Sequence, residues 1–262
     1  MLLTTLLRAL IMLALLLSGQ TSWAATVLVA VAANFSKPMT EIAADFEKAT
    51  GHSAKLSFGS SGKFVSQIEN GGPFEVFLSA DEKGPQKLEK SGLTVPNSQF
   101  IYALGKLVLW SATPGYVDDQ GKILTTGGFK HLALADPKLA PYGAAAVEVL
   151  KKMGVFEKLQ PLFVQGENIA QTYQFISTVN AELGFVALSQ VIEFDNAHLE
   201  EQGKIAKGSG WIIPGDDYAP IRQGAVLMKK GAENPAASAL MDYLKSAPAL
   251  AIIKKYGYDL PE

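Results

Sequence analysis

The chain has 262 residues, 48% hydrophobic, 18% charged and 9% aromatic, with no Cys and a formal charge of −2. That length suits one large α/β domain or two smaller lobes, while the apolar content excludes a disordered chain, and 24 Gly and 13 Pro without a period exclude a collagen-like or low-complexity one. Zero Cys excludes disulfides, thiolate metal sites, a Cys nucleophile and a lipid anchor on an N-terminal Cys, and near-neutral charge without a basic block argues against a nucleic-acid partner.

Residues 1–24 read as a secretory signal. Arg8 precedes the apolar run Ala9 to Leu17, a polar Ser18-Gly19-Gln20-Thr21 stretch follows, and Ser22-Trp23-Ala24 supplies the small-residue cleavage pattern. Cleavage is expected after Ala24, with an uncleaved membrane anchor as the alternative, since the Leu2-Leu3 and Leu6-Leu7 pairs lengthen the apolar stretch. Losing Arg8 takes the 23 basic residues to 22 against 25 acidic, a charge of −3, and leaves Arg222 as the only arginine of the exported form. A pocket built on bidentate Arg forks is therefore restricted to one such group.

Along the exported chain, Thr26 to Ala32 is a small-apolar run of strand length. Helical spacing follows at Met39, Ile42, Ala43 and Phe46, closed by Gly51. A strand is expected at Ala54–Phe58, a turn at Gly59-Ser60-Ser61-Gly62, a helix over Lys63–Glu69, a strand at Glu75–Leu78 and a helix ending near Gly92. This β-α-β-α-β-α order implies a mostly parallel sheet with helices on both faces. The pattern repeats about a hundred residues on: strands at Leu107–Trp110 and His131–Ala135, a helix over Gly143–Met153, a strand at Leu162–Gln165, a helix over Ile169–Asn180 and a strand at Leu183–Ala187. After a polar stretch from Asp195 to Gly210 come a strand at Ala225–Met228 and helices over Pro235–Lys245 and Pro248–Tyr256, which are expected to return to the first lobe. The reading is thus α/β with two similar lobes, residues 25–103 plus 207–262 and residues 104–206, with crossovers near Ala103-Leu104 and within Gln190–Lys207.

In open α/β sheets, ligands sit beyond the carboxyl ends of the strands, where the next helices begin. Helix N-termini carry unpaired N–H groups and partial positive charge, so they bind anions without basic side chains. Four turns occupy that position: Ala33-Asn34-Phe35-Ser36, Gly59-Ser60-Ser61-Gly62, Pro141-Tyr142-Gly143 and Gly166-Glu167-Asn168. They offer hydroxyl, amide and backbone donors suited to a compact oxyanion. The plainer reading is that they are ordinary helix caps.

Ala32-Ala33-Asn34-Phe35, Phe58-Gly59-Ser60-Ser61-Gly62, Glu75 to Asp81, the Asp136-Pro137 loop to Tyr142-Gly143, Gly184-Phe185-Val186 and Tyr256-Gly257-Tyr258 occur in an order that resembles the periplasmic molybdate-binding proteins of ABC importers. The resemblance spans essentially the whole exported chain. It implies a type II periplasmic-binding fold with two hinged lobes, capture of molybdate or tungstate in the cleft, and delivery to an inner-membrane ABC permease driven by an ATPase. It also implies a monomer in the periplasm with no catalysis and no cofactor, molybdenum being held only as its oxyanion. Asn34 matches a residue that donates its N–H and side-chain amide, and Ser61 one that contacts the oxyanion through hydroxyl and N–H. Tyr142 falls where some members supply a backbone N–H and others a tyrosine, and Ile169 matches a backbone donor. Ala33 stands where some members have a hydroxyl residue, and Ser60 is a neighbour that either contacts the ion or caps its helix. One departure concerns Ala187, where some members carry Tyr; Tyr142 is the candidate substitute.

A site of donors alone disfavours phosphate, which keeps a proton at neutral pH, unless Glu167 points inward to accept it. Two other readings remain: a binding protein of the same fold for sulfate, phosphate or an organic acid, and an exported serine hydrolase using Ser60 or Ser61. The hydrolase needs a His base, yet His52, His131 and His198 have no obvious partner, and Lys63 stands where a nucleophile elbow has Gly. The pairs Asp118-Asp119 and Asp216-Asp217 read as turns rather than a metal site, and the Lys151-Lys152, Lys229-Lys230 and Lys254-Lys255 pairs as solvated faces.

Overall fold

The computed structural model describes residues 24–192, 205 and 207–261. The leader up to Trp23, His198 and most of the Asp195–Gly210 stretch lie outside them. The first lobe opens with strand β1 (Thr26–Ala32), whose run of Val and Ala is buried because it lies between two parallel neighbours, β2 (Ser53–Gly59) and β3 (Val76–Leu78). The helix Ser36–Thr50 buries Met39, Ile42 and Phe46 on one stripe. It stops at Gly51, whose left-handed φ of 75° lets its N–H reach the Glu47 carbonyl oxygen. Helices Ser61–Glu69 and Lys83–Lys90 follow β2 and β3.

β4 (Phe100–Gly105) then leads through Lys106 into the second lobe, made of β5 (Leu107–Ser111), β6 (Leu132–Ala135), β7 (Phe163–Gly166), β8 (Leu183–Ala187) and β9 (Ser209–Ile212). Helix Pro141–Lys152 connects β6 to the short helix Phe156–Leu159 and β7, and helix Ile169–Ser177 connects β7 to β8. The chain returns as β10 (Ile221–Leu227). The C-terminal helices Pro235–Tyr243 and Ala247–Lys255 pack Leu240, Leu244, Ile252 and Ile253 into the first core with Phe35 and Phe46.

The sheet orders are β2-β1-β3-β10-β4 and β7-β6-β8-β5-β9, and they correspond position by position. In each sheet one strand runs against the others: β10 is antiparallel to β3 and β4, and β5 to β8 and β9. The lobes are therefore mostly parallel, each with a reversed strand next to one edge. Those reversed strands follow the two crossovers, since a strand entering from the cleft must run away from it.

The expected division at 206/207 is corrected by the pairing. Ser209–Ile212 aligns with Val108–Ser111, so it belongs to the second sheet, and the return crossing lies between Ile212 and Ile221. The first crossing is at Lys106, because β4 pairs with β10 as far as Gly105. Both shifts have one cause. β4 and β9 are edge strands held by long-range ladders, and Ser-Gly at the start of β9 hides its period.

Candidate functional site

The carboxyl ends of β1 and β2 face those of β6 and β7 across the cleft. There, Ala32, Ala33, Asn34, Gly59, Ser60, Ser61 and Ala80 from the first lobe, and Ala140, Pro141, Tyr142, Asn168 and Ile169 from the second, line one cavity. All six residues named from the sequence meet there: Ala33, Asn34, Ser60, Ser61, Tyr142 and Ile169. The centre of a water-sized sphere has ≈ 10 Å³ in which to move, about the room of a single small group. A sugar, peptide or phosphoester does not fit with the lobes in this arrangement.

The donors can be traced bond by bond. Asn168 caps its helix by accepting from the Ala170 and Gln171 N–H groups, each at 3.0 Å, which leaves the Ile169 N–H facing the cavity. Pro141 has no N–H, and Gly143 N–H is taken by the Ala140 carbonyl oxygen at 2.9 Å, so the first-turn donor left at that helix is Tyr142 N–H. In the first lobe, Gly62 N–H crosses to the Leu139 carbonyl oxygen at 2.9 Å, leaving Ser61 N–H. Ser61 Oγ accepts from Ala80 N–H at 2.9 Å, so its own proton is available.

Ser60 does not take the capping alternative. It occupies the N-cap, yet its side chain makes no capping bond, and its buried Oγ has no hydrogen-bond partner. A partnerless buried hydroxyl costs about 1–3 kcal/mol, and this one belongs to a residue lining the cavity. The chain keeps there a polar atom that a bound ion would satisfy.

Asn34 differs from its expected role. Its Nδ2 donates to Gln223 Oε1 at 2.8 Å and to Tyr258 Oη at 3.0 Å, so both amide protons are committed within the protein. Asn34 thus has its backbone N–H to offer, at the start of a helical turn that Phe35 pins by edge contacts with Tyr102 and Tyr258. The Tyr142 hydroxyl is likewise engaged. It accepts from Gln223 Nε2 at 3.3 Å, shares a hydrogen bond with Tyr258 that holds its own proton, and abuts Gly105, where a Cβ would overlap it. Tyr142 therefore supplies ring and N–H, and no free phenol takes the place of the Tyr absent at Ala187. Ala187 itself is buried, its N–H donating to Gln190 Oε1.

Among the described residues, the cavity lining holds no charged side chain. Glu167 is half exposed and bonded to Lys63 at 2.7 Å across the cleft mouth, so it does not point inward. Arg222 lies 3.6 Å from Glu82 on the surface. The nearby phenols are held neutral: burial raises Tyr102 and Tyr142 well above the usual range and pushes Tyr258 up to about 12. His52 is buried and accepts from Ala25 N–H, and His131 sits 3.6 Å from Glu182, so neither is a base for Ser60 or Ser61. No cluster of three metal-ligating residues occurs among the described residues. Asp118 instead caps a turn at Gln120 and Lys122, and Asp217 pairs with Lys152. Of the buried polar residues behind the site, Gln223, Ser189 and Tyr102 escaped the sequence reading and Tyr258 entered it only as part of the motif Tyr256-Gly257-Tyr258, although a Gln inside the apolar strand run of β10 is a detectable signal.

Residues 27–259 match the family described as bacterial extracellular solute-binding protein. A molybdate-binding protein of Azotobacter vinelandii is 60% identical over 237 residues, 90% of this chain and 91% of that protein. One from Rhodobacter capsulatus is 54% identical over 235 residues, covering 90% and 88%. The solved structure of an Azotobacter vinelandii periplasmic molybdate-binding protein superposes with a TM-score of 0.85 at 44% identity, covering 90% of this chain and all of that one.

Proposed function

The chain belongs to the bacterial extracellular solute-binding proteins, in the family of the molybdate-binding ones, and from that premise we propose that it captures molybdate or tungstate between its lobes. It then hands the ion to an inner-membrane ABC permease with its ATPase. In this reading it works as a periplasmic monomer, exported by a cleaved leader, and it neither catalyses a reaction nor carries a cofactor. The observation that carries the proposal is the cavity itself: small, uncharged, and fed from both lobes by helix N-termini and two serine hydroxyls.

Fixed dipoles suit this task. In a buried site, N–H and O–H donors already aimed at the anion's oxygens stabilise its charge more than they would in water. Because no basic side chain lines the cavity among the described residues, the unliganded cavity is not an unpaired buried charge, and release requires no salt bridge there to break. Phosphate is disfavoured for want of an acceptor. Glu167 is turned out to Lys63, and a serine Oγ that accepted the phosphate proton would have to aim its own proton elsewhere. Serine hydrolysis gains no support, since among the described residues no base lines the cavity with Ser60 and Ser61.

A thermal-shift and calorimetry panel of the exported form with molybdate, tungstate, sulfate, phosphate and simple carboxylates tests the reading. At a hundredfold excess over Kd, binding adds about 2.7 kcal/mol, which raises Tm by about 5–10 °C for a chain of this size. That rise is expected with molybdate and tungstate at one ion per chain. Stabilisation by sulfate or phosphate alone would overturn the assignment.

A further inference from the structure

Behind the cavity, at the base of the cleft, lies a buried cluster of uncharged polar side chains that the ligand does not need to touch. Gln223, fully buried on β10, uses its Oε1 to accept from Asn34 Nδ2 at 2.8 Å and from Tyr102 Oη at 2.9 Å, both in the first lobe. Its Nε2 donates at 3.3 Å to the hydroxyl of Tyr142 in the second lobe. Ser189, buried just beyond β8, makes the reciprocal link: its Oγ donates to the Asn34 carbonyl oxygen at 2.8 Å and lies 3.0 Å from the Tyr258 hydroxyl. Tyr258 in turn reaches the Asn34 carbonyl oxygen at 2.9 Å. Gln223 thus grips Asn34 and Tyr142, one from each wall of the cavity, from behind, while Ser189 ties Asn34 to the second lobe.

The surroundings fit a junction made for two arrangements. Gln223 sits where the β10–β4 register shifts, and it faces Gly105, the last residue before the first crossover. A side chain at 105 would overlap the Tyr142 hydroxyl and crowd Gln223 Nε2. The links made at this junction run between neutral groups. Separating the lobes exposes them to water, which satisfies them at little cost, whereas a pair that is half broken inside the protein is penalised. Such a junction favours the fully closed or the open arrangement over intermediates.

We propose that Gln223 and Ser189 form a closure latch: positioning residues that register Asn34 against the second lobe, Gln223 through Tyr142 and Ser189 directly, and so set how long the lobes stay shut on the bound ion. The proposal rests on the function given above only for the identity of the ligand. Gln223→Leu nearly keeps side-chain volume and removes all three bonds made by the amide, and Ser189→Ala removes the hydroxyl alone. In stopped-flow release of molybdate, each is expected to speed dissociation about tenfold. The molybdate-to-tungstate affinity ratio should stay unchanged, because neither residue lines the cavity.

The double variant should release little faster than the more affected single one, since both act through one junction. Scattering or paired fluorophores on the two lobes should show more open molecules without ligand. Release rates and lobe separation equal to wild type in Gln223→Leu and Ser189→Ala would overturn the latch. Failure of the wild-type protein to bind molybdate or tungstate would instead overturn the function, while the ligand-free separation measurement would still judge the latch.

Discussion

The two walls of the cavity are built differently. The first lobe offers side chains, with hydroxyls at Ser60 and Ser61 beside the backbone donors of the Asn34 turn. The second offers backbone alone: Ile169 contributes an apolar side chain and an N–H, and Tyr142 has its hydroxyl occupied at the hinge. Equivalent strand ends in two corresponding sheets thus present the same kind of dipole through different chemistry. One consequence is that ordinary substitutions can edit the first wall, whereas only a change that removes an N–H can edit the second.

The comparison is tested hardest at Ser61. Ser61→Ala deletes a donor to the ion and strips Ala80 N–H of its acceptor, so calorimetry should show molybdate affinity falling about a hundredfold, ~2.7 kcal/mol. The second wall is probed by Ile169→Pro. Proline is tolerated at the first helical position, and Asn168 at φ −148° and ψ 172° already has the extended backbone a following proline requires. The helix should survive while affinity drops at least tenfold, whereas Ile169→Val should stay within about twofold. Equal losses in the two variants would mean that the Ile169 side chain matters and the contrast between walls is wrong.

Ser60→Ala separates binding from folding. Affinity should fall about five- to tenfold, yet the unliganded Tm should hold or rise, because the change removes a buried hydroxyl that lacks a partner. Both walls also depend on neutral phenols behind them. An unfolded Tyr titrates near pH ~10, and Tyr258 in the fold is pushed up to about 12 by burial. Above pH ~10 the unfolded chain gives up a proton that the folded one keeps, so stability should be flat below that pH and fall between about 10 and 12, by roughly 2–3 kcal/mol for this group. The smallest effect is expected at Arg222, which is not among the lining residues and lies beside Glu82 on the surface. Arg222→Ala should change molybdate affinity by less than about threefold, and a hundredfold loss would refute an ion held by dipoles alone.

Much of this was legible in the sequence because it is local. The Val-Ala run of β1, the helical stripe through Met39, Ile42 and Phe46, and the four polar turns are each set by neighbours within a few residues. Edge strands β4 and β9 and the reversed direction of β10 and β5 depend on partners about a hundred residues away or more, and no short window contains them. The site shows the same limit. Which residues meet at the cavity followed from their positions after strands, but what each atom does there did not. The Asn34 amide is spent on Gln223 and Tyr258, which lie 189 and 224 residues along the chain, and the Ser60 hydroxyl stays free only because no backbone N–H comes to claim it.

The central claim is that neutral donors from both walls close on a single tetrahedral ion, and the most direct measurement is a crystal structure of the tungstate complex with the metal located by its anomalous scattering. The account predicts one tungsten between the two walls, its oxygens about 2.7–3.2 Å from the N–H groups of Asn34, Ser61, Tyr142 and Ile169 and from the hydroxyls of Ser60 and Ser61, with Lys63 still on Glu167. A tungsten bound against Lys63 or Arg222, or touching the groups of one wall only, would contradict it.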